Sequence, residues 1–175
     1  GGVLVRRNVE LKARCPDPAA VRRALAALKA EPMGTVEQAD TYFAVPDGRL
    51  KLRESTPGQA ELIFYRRSDA HEARPSEYHL APVACPERVA GVLAAALGVR
   101  GRVRKTRHWW LYRNIRVHLD EVEGLGAFVE LEAMVGNGHT EADCAAAAEE
   151  LAALLGVAAD HRLAGSYVEL LAAAQ

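Results

Sequence analysis

The chain has no apolar run approaching the roughly 20 residues that a membrane-spanning helix needs, and no signal-peptide pattern opens it. It is short of cysteine. Cys15, Cys85 and Cys144 are an odd number, far apart and without metal-ligand spacing, which argues against both a disulfide framework and a zinc site. The expectation is free thiols in a reducing, cytoplasmic setting. An excess of one charge is also missing. The 22 Lys and Arg nearly balance 23 Asp and Glu, for a formal net charge of -1. Bulk attraction to nucleic acid is therefore weak, no nucleic-acid or membrane partner is expected, and any anion site must come from local clustering. A phosphate loop is absent too, because Gly124 and Gly126 are followed by a strand pattern and not by a helix. Internal repeats, low-complexity linkers and composition breaks do not occur. A single domain over residues 1–175 is expected, with a substantial core because half of the residues are hydrophobic.

What is present is alternation. From Val3 to Cys15, Val9, Leu11 and Ala13 fall on one face and Asn8, Glu10, Lys12 and Arg14 on the other. The same period of two recurs over 35–44, 48–54, 60–67 and 102–112, and in Arg116–Glu132, which reads as two strands around Gly124-Leu125-Gly126. Residues 76–80 read as a short strand, and Ser68–Pro75 as a polar loop. Asp17-Pro18 signals a helix start, with Val21, Leu25 and Leu28 as its apolar stripe, ending before Pro32 with Gly34 in the following loop. Pro86–Leu97 reads as a second helix with the stripe Val89, Val92, Leu93 and Leu97, closed by Gly98. Thr140 to Asp143 resembles a capping box ahead of an Ala-rich helix that stops at Gly156, and Ser166–Ala173 reads as a final helix. The fold class that follows is α+β: about eight strands in a largely antiparallel sheet, with helices covering it.

The charged strand faces carry the functional information. Glu10 and Lys12, Lys51 and Arg53, Arg67, Lys105 and Arg107, Arg116, His118 and Asp120, and Glu130 and Glu132 all obey period two. Any one such strand reads as a solvated sheet face. Their joint occurrence points instead to a sheet curled into a barrel, apolar faces outward against helices and charged faces lining a polar tunnel. Basic residues outnumber acids there, which suits a polyanion held by Arg forks and Lys point charges. Glu10, Glu130 and Glu132 offer carboxylate oxygens of the kind Mg2+ or Mn2+ prefers, and a cation would relieve their repulsion from a phosphate chain. His118 reads as a hydrogen-bonding wall residue, Asp40 as a structural one, and Trp109 and Trp110 as packing residues.

The segments N-V-E-L-K-A-R (8–14), D-T-Y-F (40–43), G-R-L-K-L-R-E (48–54), L-I-F-Y-R-R (62–67), V-R-K-T-R (103–107), H-L-D-E-V-E-G-L-G (118–126) and F-V-E-L-E (128–132) together resemble the CYTH superfamily of triphosphate tunnel metalloenzymes. The likeness is to its class IV adenylate cyclase (CyaB-like) branch. The resemblance implies an eight-stranded antiparallel barrel, a triphosphate substrate and Mg2+ or Mn2+. It implies Glu10, Glu130 and Glu132 as metal ligands. Lys12, Lys51, Arg53, Arg67, Lys105, Arg107 and Arg116 would bind phosphates. Asp120, Lys12 and Arg107 would act at the reacting centre. It allows a homodimer. The family signature E-x-E-x-K reads here N-V-E-L-K. Asn8 thus brings a carbonyl oxygen but no charge, leaving one metal or two. Conversion of ATP to cyclic AMP and pyrophosphate is the first reading. Hydrolysis of tripolyphosphate, thiamine triphosphate or a nucleoside triphosphate is the second. A non-catalytic polyphosphate or nucleotide sensor is the third.

Overall fold

The computed structural model describes residues 2–67 and 70–174. Eight strands, β1 (Leu4–Arg14), β2 (Glu31–Phe43), β3 (Arg49–Ser55), β4 (Gln59–Arg67), β5 (Arg74–Pro82), β6 (Val99–Tyr112), β7 (Ile115–Val122) and β8 (Gly126–Met134), close into one barrel. Their order around it is β1-β5-β4-β3-β2-β6-β7-β8, every pair antiparallel, with β8 returning to β1. The helices α1 (Pro18–Ala27), α2 (Pro86–Leu97), α3 (Glu141–Leu154) and α4 (Tyr167–Ala173) pack outside. Among the described residues, no helix is long and apolar enough to cross a membrane.

The main core lies between barrel and helices. Val9, Leu11 and Ala13 of β1, Val117 and Leu119 of β7, and Val129 and Leu131 of β8 face outward and bury against Val21 and Leu25 of α1 and Cys144 and Leu151 of α3. Their strand neighbours must point inward by the same alternation, which is what puts Glu10, Lys12, His118, Asp120 and Glu130 inside. The helix caps are those the sequence announces. Asp17 accepts from Ala20 N at 3.1 Å, and Thr140 and Asp143 exchange side-chain and backbone bonds across the first turn of α3.

A second apolar cluster covers one end of the barrel. The inward-facing Tyr42, Val103, Val122 and Phe128 pack against Tyr167 and Val168 of α4. Three contacts help to hold that helix in place. The Leu163 N–H donates to the Lys12 carbonyl at 2.9 Å just before it, and Glu169 within it pairs with Arg49 and Arg100.

The structure departs from the sequence reading in four places. Pro32 and Gly34 lie inside β2 and not in a loop; the register against β6 shifts between them, and a bulge accommodates residues that read as breakers. Strand β5 runs nine residues from Arg74, so the expected loop 68–75 is shorter; its residues 68 and 69 lie outside the described residues. Strand β6 begins at Val99, directly after α2. The expected apolar stripe of α2 is not buried: Val92 is 68% exposed, and no residue of that helix is fully covered.

Candidate functional site

Inside the barrel is a cavity of about 290 Å³ lined by residues of all eight strands. Period-two alternation delivers Lys51 and Arg53 from β3, Arg67 from β4, Lys105 and Arg107 from β6, Arg116 and His118 from β7, and Glu130 and Glu132 from β8 to its wall. Glu10, Lys12 and Asp120 belong to the same inner face but are packed into the wall behind the lining side chains.

Three buried carboxylates organise the cations. Asp40, 1% exposed, accepts both arms of the Arg53 fork at 2.9 and 2.8 Å and the Lys105 ammonium at 3.2 Å, with Lys51 Nζ at 3.5 Å. Burial raises its pKa, yet Arg53, Lys105 and Lys51 together hold this carboxyl well below the usual range. Asp120 accepts the Arg107 fork at 2.8 and 2.9 Å and the Tyr167 hydroxyl at 2.9 Å. Here too the Arg107 charge and hydrogen bonds outweigh burial and keep the carboxyl depressed. Glu10 accepts from Arg67 at 3.2 Å, but burial and the charge of Glu130 push its pKa up to about 7. Burial likewise lowers Lys12 and Lys105 to about 8, and it lowers Lys51 as well. Lys12 Nζ stands 3.5 Å from Glu130 and 3.9 Å from the centre of the Tyr167 ring.

The acids gather at one corner. His118 Nδ1 lies 3.2 Å from Glu130 Oε1 and its Nε2 3.5 Å from Glu132 Oε1; ligand atoms of the three residues all fall within 4.8 Å of one another. Glu10 stands beside this group, directly opposite Glu132 in the β1–β8 register, and its buried Oε1 has no hydrogen-bond partner. Carboxylate oxygens, one of them buried and unpaired, beside an imidazole fit a hard divalent cation such as Mg2+ or Mn2+.

The family resemblance implies Asp120 near the metal or the reacting phosphate; in the structure both its oxygens are engaged by Arg107 and Tyr167. Sequence reasoning misses two groups. Asp40, read from sequence only as a structural residue, is the buried counter-charge that its inward parity with Tyr42 and the surplus of tunnel cations call for. Tyr167 lies on a helix 35 residues beyond Glu132, and no strand period marks it. Trp109 lines the cavity where packing was expected, while Trp110 packs on the outer core under Arg22.

A closed antiparallel barrel with an interior of paired cations and one acidic corner is the CYTH triphosphate tunnel fold. The chain belongs to the CYTH domain family, matching it over residues 6–167. Among solved structures it is similar to PH1012 from Pyrococcus horikoshii OT3, at 24% identity and TM-score 0.84 over 94% of this chain and 99% of that one. A candidate adenylate cyclase from Vibrio parahaemolyticus matches at 21% identity and TM-score 0.79, over 98% and 99%. HpAC1 from Hippeastrum, a candidate adenylyl cyclase with a dominant triphosphatase activity, matches at 17% and TM-score 0.66, over 96% of each chain. No curated protein matches. CYTH members are adenylate cyclase-like enzymes or triphosphatases and generally use divalent metals.

Proposed function

We propose that this chain is a divalent-metal-dependent enzyme acting on a triphosphate held inside the barrel, with an adenylate cyclase-like reaction on ATP as the first reading. The observation that carries it is the division of the cavity into a cationic wall, anchored on Asp40 and Asp120, and an acidic corner at Glu130 and Glu132. A sensor of polyphosphate needs the first and has little use for the second. Lys51, Arg53, Lys105 and Arg107 bind the phosphate oxygens, with Arg67, Arg116 and Lys12 adding charge along the chain. Their carboxylate partners fix the forks before substrate arrives, so little reorganisation accompanies the reaction. Asp120 acts through Arg107, accepting both arms of its fork. Arg107 and the Lys12 ammonium stabilise charge at the reacting phosphate. Glu130, Glu132 and Glu10 would hold the cation, which when bound neutralises phosphate charge and orients the transferring group.

Hydrolysis is the second reading, and the enclosed volume favours it. About 290 Å³ lies just below the roughly 300–1,000 Å³ common for small-molecule sites, a volume that suits the phosphate chain with any organic group held outside it, and so attack at the terminal phosphate. The deciding experiment incubates the protein with ATP, tripolyphosphate and thiamine triphosphate, each with Mg2+ or Mn2+. Cyclic AMP with pyrophosphate supports the cyclase, and orthophosphate the hydrolase. Binding without turnover on all three overturns the enzyme reading in favour of a sensor. Glu130→Gln is expected to abolish turnover with the fold intact; undiminished activity in that variant contradicts the metal assignment.

A further inference from the structure

One end of the tunnel is covered by a helix. Tyr167 and Val168 of α4 cover the end where Val103, Val122 and Phe128 point inward. Lys12 lies at that closed end, against the Tyr167 ring. Along β1, Arg6 is six residues away and thus roughly 20 Å distant, at about 3.3 Å per residue. Along β6, Trp109 is six residues beyond Val103, a similar distance, and along β7, Arg116 precedes Val122 by six. Arg6, Trp109 and Arg116 all line the cavity and so define its mouth, together with Tyr78 and Leu80. A phosphate chain drawn to the deep cations therefore leaves whatever it carries at this mouth.

Three of the groups at the mouth, Trp109, Arg116 and Arg6, differ from those below in that their side chains have no partner among the described residues. The deep cations each have a carboxylate partner, and the aromatic rings of the tunnel each have a protein partner. Tyr65 stacks with Tyr78 at 5.2 Å between centroids, Tyr42 sits under Lys51, and Tyr167 packs on Phe128 at 4.9 Å. Trp109 is half-buried in the cavity wall, yet among the described residues its indole has no hydrogen bond, ring partner or cation. Arg116 and Arg6 have no ion pair among the described residues either. The backbone around Trp109 is opened on one side. Its partner on β2 is Gly34, beside the register shift, at φ +118° and with open space where a side chain would stand. Its partner on β7 is His118, so the indole stands level with the acidic corner.

We propose that Trp109 is the specificity-determining residue for the non-phosphate end of the substrate, and that this end is a planar heteroaromatic ring stacked on the indole at the tunnel mouth, with Arg116 reaching the phosphate nearest to it. This rests on the reading of the tunnel as a triphosphate site and narrows its substrate to base-bearing triphosphates, nucleoside triphosphates foremost, over inorganic tripolyphosphate. An indole face left free between a metal-ligating corner and solvent accepts any flat π-system, and the phosphate chain supplies the register.

The test measures dissociation constants of ATP and tripolyphosphate with Mg2+ by calorimetry for the native chain, Trp109→Ala and Trp109→Phe. Stacking of this kind predicts that Trp109→Ala weakens ATP by about 10- to 100-fold, leaves tripolyphosphate unchanged, and that Trp109→Phe recovers most of the ATP affinity. Unchanged tripolyphosphate binding also certifies that the variant is folded. A parallel readout uses Trp110→Phe, which leaves Trp109 as the one tryptophan of the two in the chain; ATP should quench its fluorescence and tripolyphosphate should not. Equal loss of both ligands in Trp109→Ala, or none of either, overturns the proposal while leaving the triphosphate site standing. Failure of the native chain to bind tripolyphosphate at all overturns both.

Discussion

Asp40 receives a bidentate Arg53 and the ammonium groups of Lys105 and Lys51 while itself only 1% exposed. Removing one partner of a buried charge set leaves the others uncompensated, which costs more than the set contributes over an apolar replacement. Asp40→Asn should therefore destabilise the fold by about 3 kcal/mol, read as a lower denaturation midpoint in urea. The pH dependence has a definite sign. The folded-state pKa of Asp40 lies below its unfolded value, so its contribution is complete above about pH 4 and is lost as pH falls through the folded pKa. Acidification should erode the stability of the native chain in that window and erode Asp40→Asn less. Parallel acid limbs for the two would contradict the assignment. The residue types on the inner faces were legible in the sequence, because parity alone sorts Lys51, Arg53, Lys105 and Glu130 from their apolar neighbours. Their pairing was not. That Asp40 on β2 serves lysines and an arginine from two flanking strands depends on register, which only the closed barrel fixes.

At the scale of elements, strands with strong alternation announced themselves, and the errors fell where backbone chemistry is ambiguous. Pro32 and Gly34 signal a break, but β2 continues through them around a bulge against β6. Glycine is required for its backbone at the β2–β3 turn. Gly48 has φ +68°, and a Cβ there would lie 2.7 Å from the Tyr65 carbonyl and 2.7 Å from the Phe64 ring. The backbone oxygen belongs to a paired strand and cannot withdraw. Gly48→Ala should cost about 1–3 kcal/mol, visible as a drop in thermal midpoint, with Lys51 and Arg53 displaced at the strand it opens. An unchanged midpoint would show that the turn relaxes freely. The helix α4 was legible as a helix, but not as the element that closes the tunnel. Its seven residues carry no periodic signature of a partner, and Tyr167 reaches Asp120 only because the chain ahead of it is tied to β1.

For the whole molecule, the barrel inverts the usual distribution of polarity. The apolar faces of β1, β7 and β8 bury outward beneath α1 and α3, and the charged faces turn toward one another around a cavity. Buried charges persist there because nearly every one has a partner of opposite sign, and a bound polyanion would complete the set on the cationic side. The sequence shows this inversion as period-two charge on many strands. The end covered by α4, the free indole at the mouth and the unpaired Glu10 oxygen appear only when the strands close. A triphosphate chain and a divalent cation are expected to occupy this interior together. A crystal structure of the chain with tripolyphosphate and Mn2+, collected with anomalous scattering, tests it most directly. The expected result is a manganese peak at bonding distance from Glu130 and Glu132, with the phosphate oxygens against Lys51, Arg53, Lys105 and Arg107. Phosphate density outside the barrel, or a manganese peak remote from Glu130 and Glu132, would contradict it.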